Sequence, residues 1–166
     1  MKHVAMMLMF LLGTTAVGVA MAAPSGSPAV FVAGVKQPMG KTFPSVVQAL
    51  QKNGFRVVMK IDVGKKLAFV AKKFHWKDYN LNHLTAIRSI VFCNAKYANA
   101  ISNADPQMMA LCPLHVTLVQ QGGVTQVEFV KPAELAKGTK AARPAEELQE
   151  HVIHALEAGL KAAGHG

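Results

Sequence analysis

The residues in this sequence best suited to chemistry are two cysteines, Cys93 and Cys112, and Asn94, which follows the first. Cys93 is predicted to end a strand, and Asn94 is a good N-cap for a helix that begins next. The N–H groups and dipole of that helix can stabilise a thiolate, which favours redox or metal-binding chemistry. The alternative is that Cys93 is a small buried side chain that fits the strand end, because free cysteine is among the most buried residue types.

A disulfide between the two cysteines depends on the path of residues 94–111. A helix of about ten residues advances about 15 Å, whereas the Cα atoms of bridged cysteines lie about 4.4–6.8 Å apart. Residues 104–111 would have to return the chain, and they are long enough to do so at about 3.3 Å per residue. The sequence is compatible with both a free dithiol and a disulfide.

A second group of possible metal ligands surrounds Cys112. Thioether, thiolate and imidazole groups together suit copper, and they are supplied here by Met108, Met109, Cys112 and His115. On a regular strand, residues 112 and 115 point to opposite faces, so a bend at Pro113 would be required. A structural role is therefore favoured over a metal site, and no cofactor is required by the sequence.

A polar, aromatic loop follows the second predicted helix. Large aromatic side chains with polar tips suit the rim of a ligand pocket, and the loop contains four such candidates: His75, Trp76, Tyr79 and His83. Trp76 is equally compatible with a place in the core.

Two histidines of the last predicted helix, His151 and His154, lie three residues apart and could share a metal ion. Each also follows an acid by four residues, Glu147 and Glu150, which is ordinary surface pairing on a helix. The surface interpretation is preferred.

The N-terminus has the pattern of a secretory signal. Residues 1–22 begin with a short basic segment, continue through an apolar run and end at Ala20-Met21-Ala22, an A-x-A cleavage pattern. Cleavage near Ala22 predicts a periplasmic or secreted protein with no membrane span in its mature form. Of the 166 residues, 18 are Lys or Arg and 9 are Asp or Glu, for a formal net charge of +9. Because exported proteins rarely meet nucleic acid, this charge does not predict a nucleic-acid partner.

Hydrophobic periodicity predicts strands alternating with helices. Strands are predicted over residues 29–36, 55–62 and 86–93, with Phe55, Val57, Met59 and Ile61 on one face of the second. Helices are predicted from Thr42 to Gly54 and from Asn94 to Asn103, and a third carries the stripe Leu67, Val70, Ala71 and Phe74. Lys65, Lys66, Lys72 and Lys73 lie outside that stripe, on a solvated face.

The sequence pattern after residue 113 predicts a hairpin and a last helix. Leu114, Val116 and Leu118 form one face of a strand, Gln121-Gly122-Gly123 turns the chain, and a strand with Val127 and Phe129 returns. Residues 137–144 are expected to form a flexible connection to a helix from about Pro144 to Ala163. These elements predict an α+β, two-layer sandwich with a four- to five-stranded mixed or antiparallel sheet and helices on one face.

Two segments of the chain resemble one family. The run TFPSVVQALQKNGFRVVMKIDVGKKL, residues 42–67, and the run FCNAKYANAISNADPQMMALCPLHVTLVQQGG, residues 92–123, are similar to the domain of unknown function 302 family. Seven positions agree with its pattern: Gly54, Phe55, Asp62, Cys93, Asn94, Ala98 and Cys112. The chain departs from it at Ala95 and in the order Leu111-Cys112-Pro113. The resemblance implies a small α+β domain, often dimeric, without an established activity.

The expected organisation is a signal peptide over 1–22, a spacer and first strand over 23–41, a core over 42–136, and a linker with a C-terminal helix over 137–166. Sequences typical of Ser-His-Asp catalysis, phosphate loops, Cys-x-x-Cys pairs and haem attachment are missing. The sequence therefore favours a non-enzymatic module, expected as a homodimer, for a small-molecule or protein ligand. The alternative is a thiol-dependent redox or copper-handling protein that uses Cys93 and Cys112.

Overall fold

The structure is a computed structural model in which residues 27–165 are described. The predicted signal segment, residues 1–22, lies outside the described residues. The strands are β1 (Val30–Val35), β2 (Arg56–Asp62), β3 (Ala86–Cys93), β4 (Leu114–Gln121) and β5 (Val124–Val130). The helices are α1 (Met39–Lys52), α2 (Val63–Phe74), α3 (Ala95–Ala104), α4 (Pro132–Ala136) and α5 (Ala142–His165), with a 3-10 helix over Pro106–Leu111. None of the described helices is both long and apolar enough to cross a bilayer.

The five strands form one sheet in the order β1-β5-β4-β3-β2, and every neighbouring pair is antiparallel. This confirms the predicted α+β sandwich and fixes its sheet as purely antiparallel. The hairpin between β4 and β5 turns at Gly122 and Gly123, whose φ angles are +55° and +81°. A positive φ costs glycine little, and a two-glycine turn of this kind matches the twist of the flanking strands.

Helices α1 and α5 pack together over one face of the sheet. The residues that β3, β4 and β5 direct to this face are buried, including Phe92, Val116 and Phe129. Gly159 of α5 lies so close to α1 that an added Cβ would be 2.8 Å from the Cα of Val46. The tight helix pair and the sheet therefore enclose one hydrophobic core.

The second sheet face carries a mixed row of side chains. The strand registers place Val32, Glu128, Thr117, Ser89 and Ile61 side by side across the five strands. The hydroxyl oxygens of Ser89 and Thr117 are 2.8 Å apart. Burial raises the pKa of the Glu128 carboxyl above its usual value. This face combines an apolar margin with a polar centre.

Three local predictions differ from the structure. The register of β2 shifts between Val57 and Met59, so the predicted single face is broken and Met59 is 54% exposed. Helix α1 begins at Met39, three residues before the predicted start at Thr42, with Pro38 as its N-cap. The segment expected to be a flexible connection is preceded by α4 and contributes the first turn of α5, because α5 begins at Ala142.

Candidate functional site

The two cysteines come from adjacent ends of neighbouring strands. Cys93 ends β3, and Cys112 lies between the 3-10 helix and β4. Phe92 and Leu114 are the last pair in the register of these two strands. Cys93 follows the first by one residue and Cys112 precedes the second by two, so both cysteines lie at the same end of β3 and β4.

The two thiols are free, half-buried and in contact. Burial, then the charge of Cys93 and a hydrogen bond with it, raise the pKa of the Cys112 thiol above its ordinary value. Residues 94–111 therefore return the chain to the neighbourhood of Cys93, which is the path that a disulfide would need. The pair can exist as a dithiol or, in an oxidising compartment, as a disulfide.

Cys93 has two polar neighbours, Asn94 along the chain and Arg56 across the sheet. The Asn94 side chain accepts hydrogen bonds from the backbone N–H groups of Lys96 and Tyr97, at 3.0 and 3.4 Å, and thus caps α3 as predicted. Its amide also donates to the carbonyl oxygen of Gly54, at 3.0 Å. Arg56 is the cross-strand partner of Cys93 on β2, a pairing that no local sequence pattern indicated. Asn94 therefore positions the strand end at Cys93.

The possible copper ligands do not share one side of the sheet. Met108 packs against the core, whereas His115 is exposed and alternates with the buried residues Leu114 and Val116. Met109 is 37% exposed. Within residues 27–165, no group of three or more His, Cys, Asp or Glu side chains could hold a metal ion. Of this group, Cys112 is the residue that the structure places in contact with Cys93.

The aromatic loop borders two open grooves near α2. One, of about 620 Å³, is lined by residues that include Leu67, Tyr79 and Leu81. The other, of about 500 Å³, includes His75, Trp76 and Tyr79. Trp76 is 48% exposed, which excludes the core interpretation, and His83 lines neither of these two grooves. Three of the four predicted rim residues thus share a surface.

Comparison with known proteins places this fold in a family. Residues 32–160 match the family described as Domain of unknown function DUF302. The chain belongs to the DUF302 family. A solved structure, of an uncharacterized conserved DUF302 protein from Bacillus stearothermophilus, is similar with a TM-score of 0.67 and 18% sequence identity. The match covers 80% of this chain and 98% of that one, and it supports the shared fold. No significant match is found among curated proteins.

The DUF302 domain concentrates its exposed apolar side chains in one segment. Among residues 27–165, twelve large hydrophobic side chains are exposed, and eight of them lie between residues 58 and 81. Seven of these eight form what we call the β2–α2 surface: Val58, Met59, Leu67, Phe74, Trp76, Tyr79 and Leu81. The eighth, Phe69, lies on the lysine-bearing side of α2, since each helical residue advances about 100°. Ala71 is the buried residue of α2.

Asp62 holds the start of α2 in this DUF302 domain. Its carboxylate accepts a hydrogen bond from the backbone N–H of Lys65, at 3.0 Å, and lies 3.8 Å from the guanidinium of Arg88. These contacts fix the turn that follows β2. The residue positions the β2–α2 surface, because α2 begins directly after it.

His151 belongs to an aromatic cluster rather than to surface ion pairs. Its ring lies 5.0 Å from that of Phe55, and its Nδ1 atom is 3.2 Å from the hydroxyl oxygen of Tyr97. Burial, followed by the charges of His154 and Lys96, lowers the pKa of His151. The expected pairing with Glu147 is replaced, because that carboxylate lies 3.1 Å from Arg143.

Proposed function

We propose that this DUF302 domain is a non-enzymatic interaction module that forms a homodimer through the β2–α2 surface. The observation that carries the proposal is the concentration of exposed apolar side chains on β2, α2 and the following loop. Phe74 is 60% exposed and Leu81 is 70% exposed. Exposed apolar patches of more than a few hundred Å² mark interaction sites on soluble proteins.

The two sides of α2 have different chemistry. Leu67 and Phe74 lie on the predicted apolar stripe, while Lys66 and Lys73 lie on the other side with Phe69. Lys65 and Lys72, by contrast, line the two grooves beside the stripe. Two copies can therefore meet along their stripes without bringing Lys66 and Lys73 together.

The available area fits a second copy. Fully exposed aromatic side chains present about 150–250 Å², and aliphatic ones somewhat less. At the observed exposures the seven side chains together present roughly 700 Å². In an isologous dimer each copy contributes the same patch. The total of about 1,400 Å² lies within the range of about 1,200–2,000 Å² for stable interfaces. The groove lined by Leu67 and Leu81 can accept side chains of the partner.

The proposal is tested by sedimentation velocity over a range of protein concentrations. We expect a dimer for the wild type and a monomer for Phe74→Ser at the same concentration. Removing about 120 Å² of buried apolar area from each copy costs about 3 kcal/mol per copy at 25 cal/mol/Å². The two copies together lose about 6 kcal/mol, which weakens the dimer by roughly 10⁴-fold.

Phe69→Ser is the matched control, because Phe69 is in the same helix and is 69% exposed. It should leave the dimer unchanged. A monomeric wild type, or equal effects of the two serine variants, would contradict the proposal. Binding to anionic lipid vesicles that Phe69→Ser abolishes and Phe74→Ser preserves would instead assign α2 to a membrane surface.

We further propose that the chain is exported and cleaved after Ala22. The support is the basic start, the apolar run and the A-x-A pattern of residues 1–22. The intact mass of protein recovered from the native host should correspond to a chain that begins at Ala23. A mass that includes residues 1–22 would contradict cleavage.

A further inference from the structure

We propose that Cys93 and Cys112 form a reversible dithiol–disulfide pair that exchanges with small disulfides, with Cys93 as the attacking sulfur and Cys112 as the resolving one. This site is separate from the β2–α2 surface. It rests on the contact between the two thiols, their partial exposure and the residues around Cys93.

The position of the pair allows a bridge without rearranging the sheet. Both cysteines lie at the same end of β3 and β4, next to the paired residues Phe92 and Leu114. The segment between them contains α3 and the 3-10 helix. Its start is held by the Asn94 cap and its end by the pairing of Leu114 with Phe92. The fold therefore presents the two sulfurs to each other in the reduced state.

The surroundings distinguish the two sulfurs. Arg56 is the cross-strand neighbour of Cys93 on β2. Cys93 also precedes the N-terminus of α3, a ten-residue helix. Cys112 is held as a thiol by its burial and by Cys93. These differences assign the first attack to Cys93.

The exchange balances with a disulfide substrate as the oxidant. The Cys93 thiolate attacks one sulfur of the substrate, forms a mixed disulfide and releases the other substrate sulfur as a thiolate, which takes up a proton. Cys112 loses its proton to solvent and attacks the Cys93 sulfur. The Cys93–Cys112 bond forms, and the second substrate thiolate leaves. The protein loses two electrons and two protons, and the substrate disulfide gains them.

The experiment uses glutathione as the probe. The purified protein is equilibrated in buffers that contain reduced and oxidised glutathione at varied ratios. The reaction is quenched with acid, free thiols are alkylated, and the intact mass is measured by mass spectrometry. We expect the two cysteines to oxidise together in one transition, with loss of two hydrogens and no retained glutathione. Two independent glutathione adducts on the wild type would overturn the proposal.

Serine variants test the order of attack. Cys112→Ser should accumulate a stable mixed disulfide between Cys93 and glutathione, because the resolving sulfur is missing. Cys93→Ser should react with oxidised glutathione at least 10-fold more slowly than Cys112→Ser. Equal rates would refute the assignment of roles. Far-UV circular dichroism confirms that each variant is folded, and sedimentation separates this result from the outcome for the homodimer.

Discussion

Replacing Gly159 with alanine probes the contact between α1 and α5. The new Cβ would lie 2.8 Å from the Cα of Val46, 3.1 Å from its Cγ2 and 3.2 Å from the Cβ of Ala49. Because the nearest atom belongs to the backbone, rotating a side chain cannot relieve the contact. The two helices must move apart, which loosens the core between them.

The net effect follows from two opposing contributions. Overpacking a core costs about 1–3 kcal/mol, and a backbone contact favours the upper part of that range. Alanine recovers about 1 kcal/mol relative to glycine inside a helix. We therefore expect Gly159→Ala to lower the free energy of unfolding by about 1–2 kcal/mol.

Urea unfolding followed by far-UV circular dichroism at a fixed protein concentration measures this change. Gly40→Ala is the control, because Gly40 also lies in a helix but has no atom within 4 Å of an added Cβ. It should raise stability by up to about 1 kcal/mol. If Gly159→Ala were as stable as Gly40→Ala, the close contact between α1 and α5 would be refuted.

Substitutions at Asn94, His151 and Glu128 test the helix cap and the two shifted pKa values. Asn94→Ala should lower the free energy of unfolding by about 0.5–2 kcal/mol, whereas Asn94→Asp keeps the capping oxygen and should lose less; equal losses in urea unfolding would contradict the cap. Because the pKa of His151 is lowered in the fold, wild-type stability should fall as pH drops below about 6.5. His151→Gln should flatten that dependence in unfolding measured at several pH values, whereas His165→Gln, at the exposed end of α5, should not. The raised pKa of Glu128 has the opposite effect on stability, because the folded state holds the proton more tightly and loses stability as pH rises. Glu128→Gln should therefore gain stability relative to the wild type as pH rises through the carboxyl range, and a constant difference would contradict the assignment.

Local signals were sufficient for much of the fold. The span of β3 agrees with the prediction at both ends, because both of its faces are apolar and Asn94 marks the helix start. The turn at Gly122 and Gly123 could be predicted from the sequence, because glycine pairs often connect the two strands of a hairpin. These features depend on residues that are close together in the chain.

Features that depend on contacts between distant parts of the chain could not be predicted from the sequence. The bulge in β2 arises from pairing with β3, and alternation alone placed Met59 with Val57. Helix α4 has only five residues, too few for a periodic pattern, and its burial depends on α5. These cases required the packing partner to be known.

The candidate sites divide in the same way. Residue type identified Cys93 and Cys112, but their contact depends on the register of β3 with β4. No local pattern pointed to Arg56, because it becomes a neighbour of Cys93 only through the pairing of β2 with β3. Periodicity found the stripe with Leu67 and Phe74 but could not tell whether the chain itself covers it.

Trp76 is the single tryptophan of the chain and lies on the β2–α2 surface, so its accessibility reports directly on the proposed dimer. We would measure iodide quenching of its fluorescence in the wild type, Phe74→Ser and Phe69→Ser. The account predicts a protected Trp76 in the wild type and Phe69→Ser, and a more readily quenched one in Phe74→Ser. Equal quenching in all three proteins would contradict the claim that this surface joins two copies of the chain.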